Sequence, residues 1–126
     1  PLHPRTKKSL QDAGVMINRV TPVEPVSYEE MLCLEANAQV ILTDSGGVQK
    51  EAYWLKVPCV TLREETEWVE TVSEGWNILV GYDPQLIQDA TTKSRLRDNH
   101  PNIYGDGHTA KKVVKTIAKF LQWKLP

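Results

Sequence analysis

The sequence predicts an α/β domain, a parallel sheet with helices on both faces, and three observations predict it. Short apolar runs, of which Val40-Ile41-Leu42-Thr43 is the clearest, have the continuous character of strands buried on both faces. Capped or amphipathic stretches of helical length alternate with them. Gly, Pro and Asp punctuate each change of period. Alternation at this spacing makes βαβ units, whose crossovers are right-handed.

The elements follow in order. Thr6 caps a first helix that Gly14 ends. Val15 to Val20 reads as a strand, and Pro22 and Pro25 stiffen the loop after it. Ser27 and Glu30 have capping-box spacing, with Met31, Leu34 and Ala38 on one face of the helix behind them. Strand Val40–Thr43 runs into the turn Asp44-Ser45-Gly46-Gly47 and a helix from Val48 to Leu55. Pro58 to Leu62 is a strand with proline where no ladder donor is needed. A helix over Thr66–Glu74 stops at Gly75, and strand Asn77–Val80 stops at Gly81. Asp83 caps a helix with Pro84 at its first position, running to about Arg97. A loop holding Pro101, Gly105 and Gly107 leads to a last helix over His108–Trp123, whose Phe120 and Trp123 side is expected to dock on the sheet. Ligands of such sheets bind beyond the carboxyl ends of the strands, so the loops after Val20, Thr43, Leu62 and Val80 carry the function.

Composition narrows the class. The 126 residues suit one domain. Surface scaling for this mass gives ~6,800 Å² folded against ~20,700 Å² unfolded, enough burial for a core without disulfide or metal. Fifteen Lys and Arg against sixteen Asp and Glu leave a net charge of −1, which gives no electrostatic case for a nucleic-acid partner. No apolar run approaches a membrane span, and the start lacks the apolar stretch of a signal peptide. Cys33 and Cys59 lie far apart in apolar surroundings and read as buried, reduced thiols, which suits the cytoplasm. No metal constellation stands out. The chain opens without Met and inside a motif, as a piece of a longer protein would.

The candidate chemistry gathers at strand ends. In Asp44-Ser45-Gly46-Gly47 two glycines let a ligand approach the backbone, and the amides of Gly46, Gly47 and Val48 sit at the positive end of a helix, which favours phosphate. Ser45 adds a hydroxyl. The loop is neither a P-loop nor a GxGxxG turn, and the same residues also suit a tight strand–helix turn. Glu51, one turn along, can accept from two neighbouring hydroxyls, as on a ribose, or serve the helix dipole alone. His3 can donate to an anionic oxygen, or be a solvated group near a terminus. In Arg63-Glu64-Glu65-Thr66-Glu67-Trp68 an apolar ring and carboxylates suit a sugar or a partner domain, while Arg63 can equally pair with a neighbouring Glu. Asn102 to Gly107 reads as a structural turn, with Asp106 near enough to cap the last helix.

His3-Pro4-Arg5-Thr6, Thr43-Asp44-Ser45-Gly46-Gly47-Val48-Gln49-Lys50-Glu51-Ala52, Leu62-Arg63-Glu64-Glu65-Thr66-Glu67-Trp68-Val69-Glu70 and Tyr104-Gly105-Asp106-Gly107 together resemble the non-hydrolysing UDP-N-acetylglucosamine 2-epimerases, in order and spacing, over nearly the whole chain. The resemblance implies a Rossmann-like three-layer domain, the C-terminal, UDP-binding half of a glycosyltransferase-B-type two-domain fold over residues 1–126. The N-terminal domain, with the acidic residues used for chemistry, is absent from this chain. It implies that Ser45, Gly46 and Gly47 bind the diphosphate, Glu51 the ribose, and Met31 and the backbone near Val26 the uracil. His3 is the implied catalytic residue, contacting the diphosphate and helping UDP leave. Arg63, Glu67 and Trp68 are implied as sugar or cleft contacts.

The implied reaction inverts C2 between UDP-GlcNAc and UDP-ManNAc by elimination of UDP to a 2-acetamidoglucal and re-addition, without a cofactor, in polysaccharide biosynthesis. The implied partners are the UDP-sugar, the N-terminal domain of the same parent and a second copy in a homodimer. The isolated chain is expected to bind UDP weakly and not to epimerise. Trp68 stands where some relatives carry Arg, and the Glu-Trp form also occurs in branches acting on UDP-diacetamido-uronic acids. The rivals are the donor half of a glycosyltransferase and a non-catalytic nucleotide-sugar sensor.

Overall fold

The protein's structure is a computed structural model, which describes residues 1–95 and 98–121. Among these, three parallel strands form one sheet in the order β1 (Ile41–Thr43), β2 (Cys59–Thr61), β3 (Asn77–Leu79). Ile41 pairs with Cys59, and Cys59 with Asn77, so the strand ends are level and the loops after them leave by one edge.

The alternation of side chains along a strand builds two layers around the sheet. On one face Ile41 and Cys59 pack with Ala52 of α3 (Gly46–Trp54) and with Val57. On the other Val60 packs with Val80 and with Ala90 of α5 (Pro84–Lys93), with Ile87 beside them. The predicted α/β layering is therefore present. Its core is small: the accessible surface is 9847 Å², well above the ~6,800 Å² expected of a self-contained domain of this mass.

Several helix ends follow the sequence signals. In α2 (Tyr28–Ala36) Ser27 and Glu30 close the predicted capping box reciprocally. The Asp83 carboxylate accepts from the amides of Gln85 and Leu86 at the start of α5. Gly14 and Gly75 end α1 (Pro4–Asp12) and α4 (Val69–Ser73) in Schellman turns at φ 64° and 72°. α3 ends the same way, but on Lys56: its amide donates to Tyr53 O and that of Val57 to Ala52 O, at φ 59°. A left-handed lysine is strained, so Lys56→Gly is expected to stabilise the fold by about 1 kcal/mol. A urea midpoint that falls instead would count against it.

Six expectations are corrected. His3, not Thr6, caps α1: its Nδ1 accepts from the Arg5 amide at 3.2 Å, ahead of Pro4 at the first helical position. Residues 15–20 are not a strand; a strand needs a ladder, none reaches them among the described residues, and Val15, Met16 and Val20 are exposed. α4 begins at Val69 rather than Thr66, because the Thr66 hydroxyl takes the Trp68 amide and holds Trp68 out of helical geometry. α5 ends at Lys93, short of Arg97, where hydroxyls of Thr91, Thr92 and Ser94 bond back to carbonyls one turn earlier; Arg97 lies outside the described residues.

The fifth concerns α6 (Thr109–Phe120), which does not dock as expected. Only Ala118 is buried, and Val113, Ile117 and Phe120 face outward, since three strands of three residues offer too little sheet for a further helix. Trp123 lies outside the described residues. Asp106 does reach the start of α6, accepting from the His108 amide and pairing with Lys112 at 2.9 Å. Both cysteines are free, but Cys33 is exposed on α2 where burial was expected; Cys59 is buried.

Candidate functional site

The loop after β1 is the centre of the candidate site. Ser45 occupies the cap position of α3 in extended conformation, yet its hydroxyl makes no capping bond to its own helix. The first helical bond runs from the Gln49 amide to Ser45 O at 3.1 Å. The amides of Gly46, Gly47 and Val48 precede it and point out of the helix end, where its dipole is positive. The Ser45 amide donates to the Thr43 hydroxyl at 3.0 Å, which turns the loop out of the strand.

The loop after β2 closes on this helix end. A side chain on Gly46 would meet Trp68 Nε1 at 3.3 Å and Glu67 Oε2 at 3.6 Å. The structure thus brings Glu67 and Trp68 to the glycine loop. Arg63 faces Glu67 in a two-pronged pair, Nη1–Oε2 3.3 Å and Nη2–Oε1 3.2 Å. With Glu67's own amide, that guanidinium holds its carboxyl below the usual range. This is the pairing with a neighbouring glutamate that the sequence of the loop allows. The Trp68 ring lies under Lys50 Nζ, 4.4 Å from the centroid, and Tyr104 flanks the same ammonium at 4.7 Å.

His3, Val26 and Met31 line one open groove of about 240 Å³, together with Tyr28. With Nδ1 accepting from Arg5, the neutral His3 ring carries its proton on Nε2, as a donor. Tyr28 links the groove to Glu51, whose carboxylate beside the phenol pushes the Tyr28 hydroxyl up. Glu51 is half-buried on α3, one turn beyond Gly47. No spacing signal marked Tyr28, because it comes to Glu51 only through the packing of α2 on α3.

Glu35 of α2 is a second residue that periodicity missed. It is 3% exposed, and neither carboxyl oxygen has a hydrogen-bond partner. Burial first, and the Glu51 charge second, push its pKa up. The folded state therefore holds this proton more tightly than the unfolded chain. The stability it contributes is complete below the ordinary glutamate pKa of 4.5 and is lost as pH rises through the raised value. Glu35→Met is expected to stabilise at pH 8 by on the order of 1–3 kcal/mol and to gain little at pH 4. A melting-temperature difference equal at both pH values would contradict this.

The turn over Asn102–Gly107 keeps the structural role read from its sequence. Tyr53 is 2% exposed, and its ring meets Trp76, His100 and Tyr104 at 6.1, 4.3 and 5.6 Å. Its hydroxyl donates to Pro101 O, and His100 Nε2–H donates to Tyr53 O at 2.7 Å. Burial, with the Glu70 charge second, pushes the Tyr104 hydroxyl up. Among the described residues no group of three or more His, Cys, Asp or Glu could hold a metal, and no helix is long and apolar enough to cross a membrane.

Comparison with known proteins gives one family. The family model described as UDP-N-acetylglucosamine 2-epimerase matches residues 1–118. A "UDP-N-acetylglucosamine 2-epimerase homolog" of Methanococcus maripaludis is 48% identical over 93% of this chain and 34% of its own. A "UDP-2,3-diacetamido-2,3-dideoxy-D-glucuronate 2-epimerase" of Pseudomonas aeruginosa is 40% identical over 94% of this chain and 34% of its own. The crystal structure of Methanocaldococcus jannaschii UDP-GlcNAc 2-epimerase in complex with UDP-GlcNAc and UDP superposes with TM-score 0.80 and 42% identity, over 93% of this chain and 34% of that one. The chain thus spans about a third of the length of the curated relatives it matches.

Proposed function

The chain belongs to the UDP-N-acetylglucosamine 2-epimerase family, and on that premise we propose that it is the UDP-binding half of an enzyme interconverting UDP-GlcNAc and UDP-ManNAc. The observation that carries this reading is the opening of α3, three helical amides and an uncommitted serine hydroxyl at the end of a buried strand. In this reading the amides of Gly46, Gly47 and Val48 and the hydroxyl of Ser45 hold the diphosphate. The Glu51 carboxylate accepts from the two ribose hydroxyls. The uracil lies in the groove of Val26 and Met31.

The residues then have a part in the chemistry. Elimination removes the C2 proton, breaks the bond from C1 to the β-phosphate oxygen and leaves a C1–C2 double bond and UDP. Negative charge grows on the diphosphate as that bond breaks. Donors fixed beforehand at the helix end, joined in this reading by His3 Nε2–H from the neighbouring chain start, stabilise this charge more than that of the bound substrate, which is what accelerates the step. Re-addition of UDP, with a proton returned to the opposite face of C2, completes the inversion. The acid–base groups for C2 come from the N-terminal domain of the same parent, the other half of a glycosyltransferase-B-type cleft. The setting is cytoplasmic polysaccharide biosynthesis, with the parent a homodimer.

A second reading keeps UDP and makes the sugar a diacetamido-uronic acid, the substrate named for the Pseudomonas relative. Relatives named UDP-N-acetylglucosamine 2-epimerase stand at 46% and 44% identity against 40% for the Pseudomonas one, and the neutral sugar is favoured.

Calorimetric titration with UDP tests the reading, on this chain alone and joined to an N-terminal domain of the family. Ser45→Ala removes one bond to a charged oxygen and is expected to weaken UDP by about 1.5–3 kcal/mol, roughly ten- to a hundred-fold. Unchanged affinity would take Ser45 out of the site. No saturable binding in either form would overturn the reading.

A further inference from the structure

We propose that Gln49 is a positioning residue: from the first turn of α3 it fixes the loop that follows β2 against the Ser45–Gly47 amides. Its side chain is 0% exposed, a polar group on the buried side of a helix otherwise lined there by Ala52 and Tyr53. Its carbonyl oxygen takes two bonds, from the Thr66 hydroxyl at 2.6 Å and from Asn77 Nδ2 at 3.1 Å. Asn77 is held in turn. Its Oδ1 accepts from Thr61 of β2 at 2.7 Å, and its Nδ2 also donates to the Thr71 hydroxyl at 3.2 Å.

These partners grip the loop at both ends of one residue. Thr66 Oγ1 accepts the Trp68 amide at 3.1 Å, and the Thr71 hydroxyl donates to the Trp68 carbonyl at 2.7 Å. Trp68 is the residue whose Nε1 abuts Gly46 and whose ring carries Lys50. A single buried amide therefore joins α3, β3 and the loop bearing Glu67 and Trp68, and Asn77 extends the link to β2. Without its oxygen, Thr66 and Asn77 lose a shared acceptor in a dry interior, and Thr66 loses its only side-chain tie to α3 among the described hydrogen bonds.

The inference rests on the functional reading above, and the two fail differently. The diphosphate is held by α3 itself, whereas the loop borders the sugar. Gln49→Leu, in the chain joined to the family's N-terminal domain, is expected to leave UDP affinity within about threefold while kcat for UDP-GlcNAc falls at least tenfold, as when an orienting contact is lost. Thr66→Val cuts the same link from the other side with less disturbance. It is expected to lower kcat similarly, and the double variant to be no worse than the poorer single one. Equal kcat in a folded Gln49→Leu overturns the proposal. If that variant does not fold, equal kcat in Thr66→Val overturns it. A parallel loss of UDP affinity and kcat also overturns it, since that marks a loosened helix rather than a misplaced loop. Failure of the unsubstituted protein to bind UDP overturns the functional reading, and this one with it.

Discussion

Tyr53→Ala is expected to cost about 3–5 kcal/mol, the range for deleting a fully buried ring. A small domain has only about 5–15 kcal/mol in all, so the variant stands near the edge of folding. The loss has an identifiable course. Tyr53 is the ring on which Trp76, His100 and Tyr104 converge, and its hydroxyl fills the Pro101 carbonyl. Removing it takes the ring contacts of His100 and Tyr104 and the bond to Pro101 away from residues 100–104. Urea unfolding measures the effect, with Tyr53→Phe beside it. The phenylalanine keeps the ring and loses one hydrogen bond, so it should cost about 1 kcal/mol. Equal losses in the two variants would show that the hydroxyl, and not the ring, holds the loop.

Glu51→Ala is expected to weaken UDP by about a hundredfold, because two hydrogen bonds to a charged acceptor are worth roughly 3 kcal/mol together. 2′-Deoxy-UDP separates this from indirect damage. The unsubstituted protein should bind it about tenfold less tightly than UDP, and Glu51→Ala should barely distinguish the two. If the variant still prefers UDP by the same factor, the carboxylate does not read the ribose. Tyr28, whose hydroxyl pKa the Glu51 carboxylate raises, adds a check: Tyr28→Phe leaves the carboxylate in place and should cost much less.

Much of the frame was legible because its determinants are local. The capping box of Ser27 and Glu30, the Asp83–Pro84 start and the stop at Gly75 each depend on groups within four residues. The buried strand with Ser45-Gly46-Gly47 after it was legible for the same reason, and Rossmann-type alternation then placed the loops at one edge. What could not be read is carried by contacts between distant positions. Gln49 meets Asn77 across 28 residues, and Tyr53 meets Pro101 across 48. No local signal marks His100, whose ring packs on Tyr53 from 47 residues away. Residues 15–20 misled for the opposite reason: their local preference for extended chain is real, but pairing is a tertiary property. In α6 an amphipathic pattern gave a helix without saying what its apolar side covers.

The unequal burial of the two thiols makes the molecule ready for labelling as it stands. Cys59 is sealed in the core, and burial raises its pKa to about 11, so almost none is present as thiolate at neutral pH. Cys33 is open to reagents on the same helix as Tyr28 and Met31. A maleimide dye would therefore attach at one position, with no cysteine engineered in or out. That position is on the helix bordering the groove read as the uracil site, where a fluorophore can report ligand arrival directly.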